Sequence, residues 1–189
     1  MMQALKINKY GYVNAAIQVA SPNVDARPTD VIDMIVIHNI SLPPNQYGGA
    51  GILQLFINQL NPAEHPYYAE IAHLKVSSHF LIRRNGEMLQ FASCLMRAWH
   101  AGASHWQGRE RCNDFSVGIE LEGSDDDAFE TLQYQTLKLL LVCLIKKYPI
   151  AHVVGHSDIA PGRKTDPGPY FDWQAIEAEK STLVAPVKH

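Results

Sequence analysis

The sequence predicts a mixed α/β fold, a central mixed β-sheet flanked by helices. Three observations carry this. Val31–Ile40 (VIDMIVIHNI) is a nearly continuous β-branched and apolar run, the pattern of a central strand covered on both faces. Asn85-Gly86 separates two strand-like runs, Ser78–Ile82 and Glu87–Ala92, which is a strong local signal for a tight hairpin. Asp125–Tyr148 places Leu132, Leu137, Leu140, Leu141, Leu144 and Ile145 at helical spacing. Strands and helices interleaved around a hairpin make a mixed sheet with helices packed on it.

The elements follow in order. The first strand ends at His38-Asn39 and gives way to a Pro/Gly loop, Ser41–Gly51. Ile52, Leu53, Leu55, Phe56 and Leu60 read as a short helix stopped at Asn61-Pro62. Asn61–Ser77 is rich in aromatics and His and has no clear period; long irregular segments inside compact domains are often functional. After the hairpin, Ser116–Leu121 alternates, with Val117, Ile119 and Leu121 on one face and Gly118, Glu120 and Glu122 on the other. The helix from Asp125 opens with acidic residues and closes with Lys146-Lys147, charges that complement its dipole. His152–His156 reads as a short strand, Ser157–Tyr170 as a Pro/Gly loop, and Asp172 as the cap of a last helix containing Trp173 and Ile176. One domain over residues 1–189 is expected, with a catalytic core at about 13–175 and a flexible tail at 181–189.

Composition narrows the function classes. The chain has 189 residues, 47% hydrophobic and 19% charged, ordinary values that exclude fibrous and disordered classes. A formal net charge of −3 gives no support to nucleic-acid or membrane-surface binding through bulk charge. Three cysteines, Cys94, Cys112 and Cys143, make no disulfide framework. The first residues lack a basic segment followed by an apolar one, and no apolar run approaches the length of a membrane span, so a cytoplasmic protein is expected. No heptad pattern favours assembly, and a monomer is expected.

The chemistry should gather where strands end. His38 closes the first strand, Glu120 lies in the alternating strand, and His156 closes the penultimate one, ahead of a loop offering Asp158, Lys164 and Asp166. Two imidazoles and a carboxylate suit Zn²⁺, with the fourth position left to water in a catalytic site. Taken singly, each residue also has a plain reading: a hydrogen-bonded histidine, a solvated strand glutamate, a surface lysine. His152 and His156 lie about 13 Å apart in a strand, so at most one of them serves such a site.

Four blocks weigh against the plain readings: HNIS at 38–41, RAWHAG at 97–102, GRERCNDFSVGIELEG at 108–123 and GHSDIAPGRKTDPGPYFDW at 155–173. In this order, within a stretch from about Val13 to Trp173, they resemble the zinc N-acetylmuramoyl-L-alanine amidases of the amidase type 2 family. The resemblance implies that family's fold, a bound Zn²⁺, and the ligands His38, His156 and Asp166. It implies Glu120 as general base and Lys164 as a catalytic cation, with Glu122 structural or supporting. Asn39, Tyr67 and Trp99 match positions of the substrate groove, and Lys75, Arg111 and Arg163 match basic positions that meet stem-peptide carboxylates. Arginine is expected at position 75 in close relatives; Lys75 keeps the charge without the bidentate fork. The implied reaction is hydrolysis of the amide between 1,6-anhydro-N-acetylmuramic acid and L-alanine of a muropeptide, in cell-wall recycling and, indirectly, control of β-lactamase induction.

Two other classes compete. Peptidoglycan recognition proteins share the fold and some bind without cutting, but such members tend to lose a zinc ligand, and all three positions stand here. A cysteine hydrolase would use Cys112 with His100 or His105 as base, and nothing else in that segment suggests an activated thiol.

Overall fold

The computed structural model describes residues 5–183. Its strands are β1 (Ile17–Gln18), β2 (Val24–Ala26), β3 (Met34–Ile40), β4 (Phe80–Ile82), β5 (Met88–Gln90), β6 (Met96–Ala98), β7 (His105–Trp106), β8 (Arg109–Glu110), β9 (Ser116–Glu122) and β10 (His152–Gly155). The helices are α1 (Gly51–Phe56), α2 (Pro66–Ile71), α3 (Thr131–Lys147), α4 (His156–Ile159) and α5 (Glu177–Lys180). Six strands form one sheet in the order β1-β5-β4-β9-β3-β10, and β2-β6 and β7-β8 are separate two-stranded ribbons. Every pair in the large sheet is parallel except β4-β5, the hairpin expected at Asn85-Gly86, where Gly86 has φ +83°. The sheet is therefore mixed, as the sequence predicts.

Its two faces carry different cargo. Ile35, Ile37, Val117, Ile119 and Leu121 point to one side and pack with Leu137, Leu140, Leu141 and Leu144 of α3. On the other side, Met34, Val36 and Val154 pack with Ala101, Cys112, Phe115 and Ile159, while Leu81 and Leu89 pack with Leu55, Phe56 and Tyr68 of α1 and α2. His38 and Glu120 lie on this second face. All seven residues of β9 are buried, so the alternation read in the sequence separates two covered faces rather than a core face from a solvent face. Glu120 is thus no solvated strand residue.

Several boundaries differ from expectation, each for a local reason. β3 starts at Met34, not Val31, and Asp33 just ahead of it holds Arg109 in an ion pair (2.8 Å). α1 stops at Phe56, and Asn58 turns the chain with φ +61°. The segment 61–77 is not wholly irregular. Pro66 opens α2, and His65 Nδ1 accepts the Tyr67 N–H (3.1 Å) as an imidazole cap. α3 starts at Thr131 rather than Asp125, where Gln133 Oε1 accepts the Glu130 N–H (3.0 Å). Leu132, placed on the buried side from its spacing, falls in the first turn and is exposed. β10 ends one residue early, and His156 opens α4. Asp172 does cap the final turn, accepting from Gln174 N–H (2.9 Å). Of the expected tail, 184–189 lie outside the described residues, while Leu183 packs against the core. Among the described residues no helix is long and apolar enough to cross a membrane.

Candidate metal centre and active-site cavity

Register builds the site. His38 of β3 pairs with Glu120 of β9, and Gly155 of β10 pairs with Ile37, so His156 follows next to His38. Three candidate residues therefore stand side by side at the carboxyl ends of parallel strands, where open α/β sheets place their sites. Asp166 arrives from the loop after α4, which is tied back by the Ser157 N–H to the Asp166 carbonyl (2.9 Å). Asp158, a loop candidate in the sequence, instead accepts the Gly155 N–H (2.7 Å) and closes the turn. His152 is set apart, packed edge-on against Trp106.

His38 Nδ1, His156 Nδ1 and Asp166 Oδ2 converge, with separations of 3.0, 2.9 and 3.1 Å. Among the described residues they form the one group of three or more ligand-type side chains able to hold a metal ion. Tetrahedral zinc with nitrogen and oxygen ligands needs neighbouring ligand atoms about 3.3 Å apart, close to these separations. The donor chemistry fits as well. His156 Nε2 lies 3.0 Å from the Ala101 carbonyl oxygen, which can only accept, so the ring proton sits there and Nδ1 is bare. Burial lowers the His38 pKa despite the neighbouring Asp166, keeping that ring neutral. Asp166 Oδ2 stands 2.9 and 3.1 Å from the two Nδ1 atoms, so its carboxylate supplies the anionic oxygen of the set. Bare nitrogen and ionised oxygen facing one another make a cation site.

These residues form the floor of a cavity of about 330 Å³ that also exposes Asn39, Tyr67, Trp99, Glu120 and Lys164. Leu42, Ile71, Leu74 and Val76 supply an apolar wall that the sequence reading did not single out. Glu120 is buried with Oε2 unpaired. Burial, then repulsion from Asp166, raises its pKa well above the ordinary glutamate value, and the positive charge of Lys164 opposes them.

The remaining candidates are distributed unevenly. Asn39 borders the cavity, but its side-chain N–H groups go to Asp125 (2.7 Å) and the Pro167 carbonyl (3.0 Å), holding the Asp166 loop on β3. Arg163 donates to the carbonyls of Ala101 (2.8 Å) and Ala103 (2.6 Å). Arg111 is exposed beside Trp99, in an adjoining depression with Asp25, Arg97 and Asp114. Lys75 is exposed and does not line the cavity. Glu122 is fully occupied away from it, accepting from Arg83 (2.8 Å), Gly48 N–H (2.7 Å) and Arg84 N–H (3.2 Å). Cys112 is buried, and burial pushes its thiol pKa up, the opposite of an activated nucleophile. His100, weighed in the sequence only as a partner for Cys112, borders the cavity and touches His38.

The N-acetylmuramoyl-L-alanine amidase family model matches residues 27–169. The 1,6-anhydro-N-acetylmuramyl-L-alanine amidase AmpD of Citrobacter freundii is 52% identical over 182 residues, 95% of each chain. The enzyme of that name from Escherichia coli K12 is 54% identical over 166 residues, 86% of this chain and 91% of its own. The crystal structure of a selenomethionine AmpD derivative superposes with a TM-score of 0.88 at 53% identity, covering 90% of this chain and 97% of its own. A complex of the E. coli amidase AmiD with anhydro-N-acetylmuramic acid-L-Ala-D-γ-Glu-L-Lys superposes with a TM-score of 0.55 at 30% identity, covering 96% and 67%. With a family match over residues 27–169 and relatives more than half identical over most of its length, this chain belongs to the N-acetylmuramoyl-L-alanine amidase family.

Proposed function

We propose that this chain is a zinc-dependent hydrolase of the amide bond between the lactyl group of 1,6-anhydro-N-acetylmuramic acid and L-alanine of the stem peptide. The observation that carries the reading is the meeting of a bare His/His/Asp acceptor set with an unpaired buried glutamate on one cavity floor. Relatives named for this activity, about half identical over most of the chain, support the substrate class.

His38, His156 and Asp166 would hold the zinc. Bound there, zinc supplies a Lewis acid that polarises the scissile carbonyl and brings the pKa of water towards roughly 7. Glu120 takes the proton of the attacking water. Its raised pKa makes it a better base near neutrality than an exposed glutamate, and the same carboxyl can deliver that proton to the departing alanine amine. Lys164, an ammonium at the cavity edge, faces the charge that develops on the carbonyl oxygen. The apolar wall with Tyr67 and Trp99 suits the anhydro sugar, whose faces carry C–H groups and few charges. Arg111, exposed in the depression beside Trp99, supplies positive charge towards the peptide carboxylates, and Asn39 acts through the Asp166 loop it holds. The biological setting that follows is cytoplasmic recycling of cell-wall fragments by a monomer, with β-lactamase induction lowered where such fragments are the inducer.

Mass spectrometry of anhydro-muramoyl tripeptide incubated with the protein as purified, after chelation and after zinc is restored tests the scissile bond and the metal together. Free tripeptide that chelation abolishes and zinc restores is expected. Asp166→Ala should lose zinc, whereas Glu120→Gln should keep zinc and lose about 10²–10⁴ in rate. Intact substrate with a folded, zinc-loaded sample would overturn the reading in favour of a binding module.

A further inference from the structure

A polar chain runs away from the metal centre through residues given no role above. His38 Nε2 lies 2.9 Å from His100 Nδ1, His100 Nε2 lies 3.2 Å from Ser116 Oγ, and Ser116 Oγ lies 2.6 Å from the Cys112 carbonyl oxygen. Its direction can be read from its far end. A carbonyl oxygen only accepts, so the serine proton is committed to Cys112. Ser116 Oγ can then meet His100 only as an acceptor, which puts the ring proton of His100 on Nε2. A second proton on His100 would be an uncompensated charge in a ring packed between His38 and His79, with no carboxylate hydrogen-bonded to it. His100 Nδ1 is therefore bare and accepts the Nε2–H of His38. That leaves His38 Nδ1 with its lone pair, aimed at Asp166 and His156.

The surroundings are shaped for this arrangement. The ring of His100 lies against β9 over Gly118, where an added Cβ would stand 2.5 Å from His100 Cγ. The backbone N–H groups of His100 and Ala101 both donate to Asn113 Oδ1 (3.2 and 2.8 Å), which holds the segment in place. His156 has its proton placed by one carbonyl, that of Ala101. Among the described residues His38 Nε2 meets His100 Nδ1 rather than a carbonyl, and it obtains the same result through two side chains and the Cys112 carbonyl.

We propose that Ser116 and His100 form a positioning relay that holds His38 in the tautomer with Nδ1 free, and so tightens metal binding at the proposed centre. The inference rests on the metal reading above, yet its tautomer claim can be examined without metal. Two-dimensional ¹H–¹⁵N spectra of the imidazoles in the metal-free full-length protein should show His38 and His100 both protonated at Nε2. Ser116→Ala should release the His100 tautomer, and zinc affinity, measured by competition with a chromophoric chelator, should fall about 10–100-fold for Ser116→Ala and His100→Ala. Ser116→Thr keeps the hydroxyl and His100→Gln keeps an acceptor opposite His38, so each should recover most of the affinity. A structural defect alone would not be rescued in this pattern. His38 without a proton at Nε2, or Ser116→Ala and His100→Ala variants binding zinc as tightly as the wild type, would overturn the relay. A wild-type protein that binds no zinc would instead remove the metal centre, and the nitrogen spectra would still decide the tautomers.

Discussion

Gly118→Ala is a steric test of how the site is seated on β9. The new Cβ would stand 2.5, 2.6 and 2.7 Å from Cγ, Nδ1 and Cδ2 of His100. Carbon atoms in contact sit about 3.5–4.0 Å apart, so the ring must retreat by about 1 Å. Its nitrogens now lie 2.9 Å from His38 Nε2 and 3.2 Å from Ser116 Oγ. A retreat of that size carries both beyond useful hydrogen-bond distance. The backbone has no objection of its own, since residue 118 lies in an ordinary strand with its N–H on His79 Nδ1 (3.0 Å). Overpacking costs about 1–3 kcal/mol, and the stiffer unfolded chain returns about 0.4–1 kcal/mol. At the middle of these ranges the net loss is about 1.3 kcal/mol, which lowers Tm by about 3–5 °C for a chain of this size. Zinc affinity should fall about 10–100-fold, because His38 loses its partner. Circular dichroism melts of the metal-free protein and chelator competition read the two effects separately. A variant that melts with the wild type and binds zinc equally well would refute the reasoning.

Other consequences concern the scaffold and the rival chemistry. His79 is buried beside Arg27, and burial followed by the Arg27 charge lowers its pKa to about 3, from 6.5 when free. The unfolded chain therefore holds one more proton between those values, so stability present above pH 6.5 is lost on acidification by about 1.4 kcal/mol per pH unit. In urea titrations from pH 7 to pH 4, His79→Gln should flatten that slope by this amount, and parallel slopes would contradict it. Arg83→Met strips the cation from buried Glu122 and should cost about 3–5 kcal/mol, with Arg83→Met/Glu122→Gln recovering part of the loss; a single variant as stable as the wild type would show the pair to be idle. Cys112→Ala and thiol alkylation should leave amide hydrolysis intact, measured by product release, because the buried thiol is pushed up and not down. Thiol-dependent activity would revive the cysteine reading.

Much of the molecule was legible in local sequence. The β-branched run of β3, the Asn85-Gly86 hairpin and the leucine spacing of α3 express the period of their own backbone and need no partner to be read. The motif blocks marked His38, Glu120, His156, Lys164 and Asp166 by resemblance, and all five border the one cavity. Where α3 starts, where β3 starts and the existence of α2 were not legible. A capping glutamine stands at the start of α3, an ion pair to Arg109 just ahead of β3 and an imidazole cap at the start of α2, and each depends on a partner's position. Asn39 and Arg163 illustrate the same gap, since their residue types suit a substrate while their hydrogen bonds are spent on Asp125, Pro167 and the 101–103 carbonyls. The sequence by itself determined the elements and the chemical inventory. Only the tertiary structure decided that β10, β3 and β9 align so that His156, His38 and Glu120 stand abreast, and that His100 closes over Gly118. Register and ring packing come from burying both faces of one sheet, an energy shared among segments more than 100 residues apart in the chain, such as His38 and His156 (|i−j| = 118).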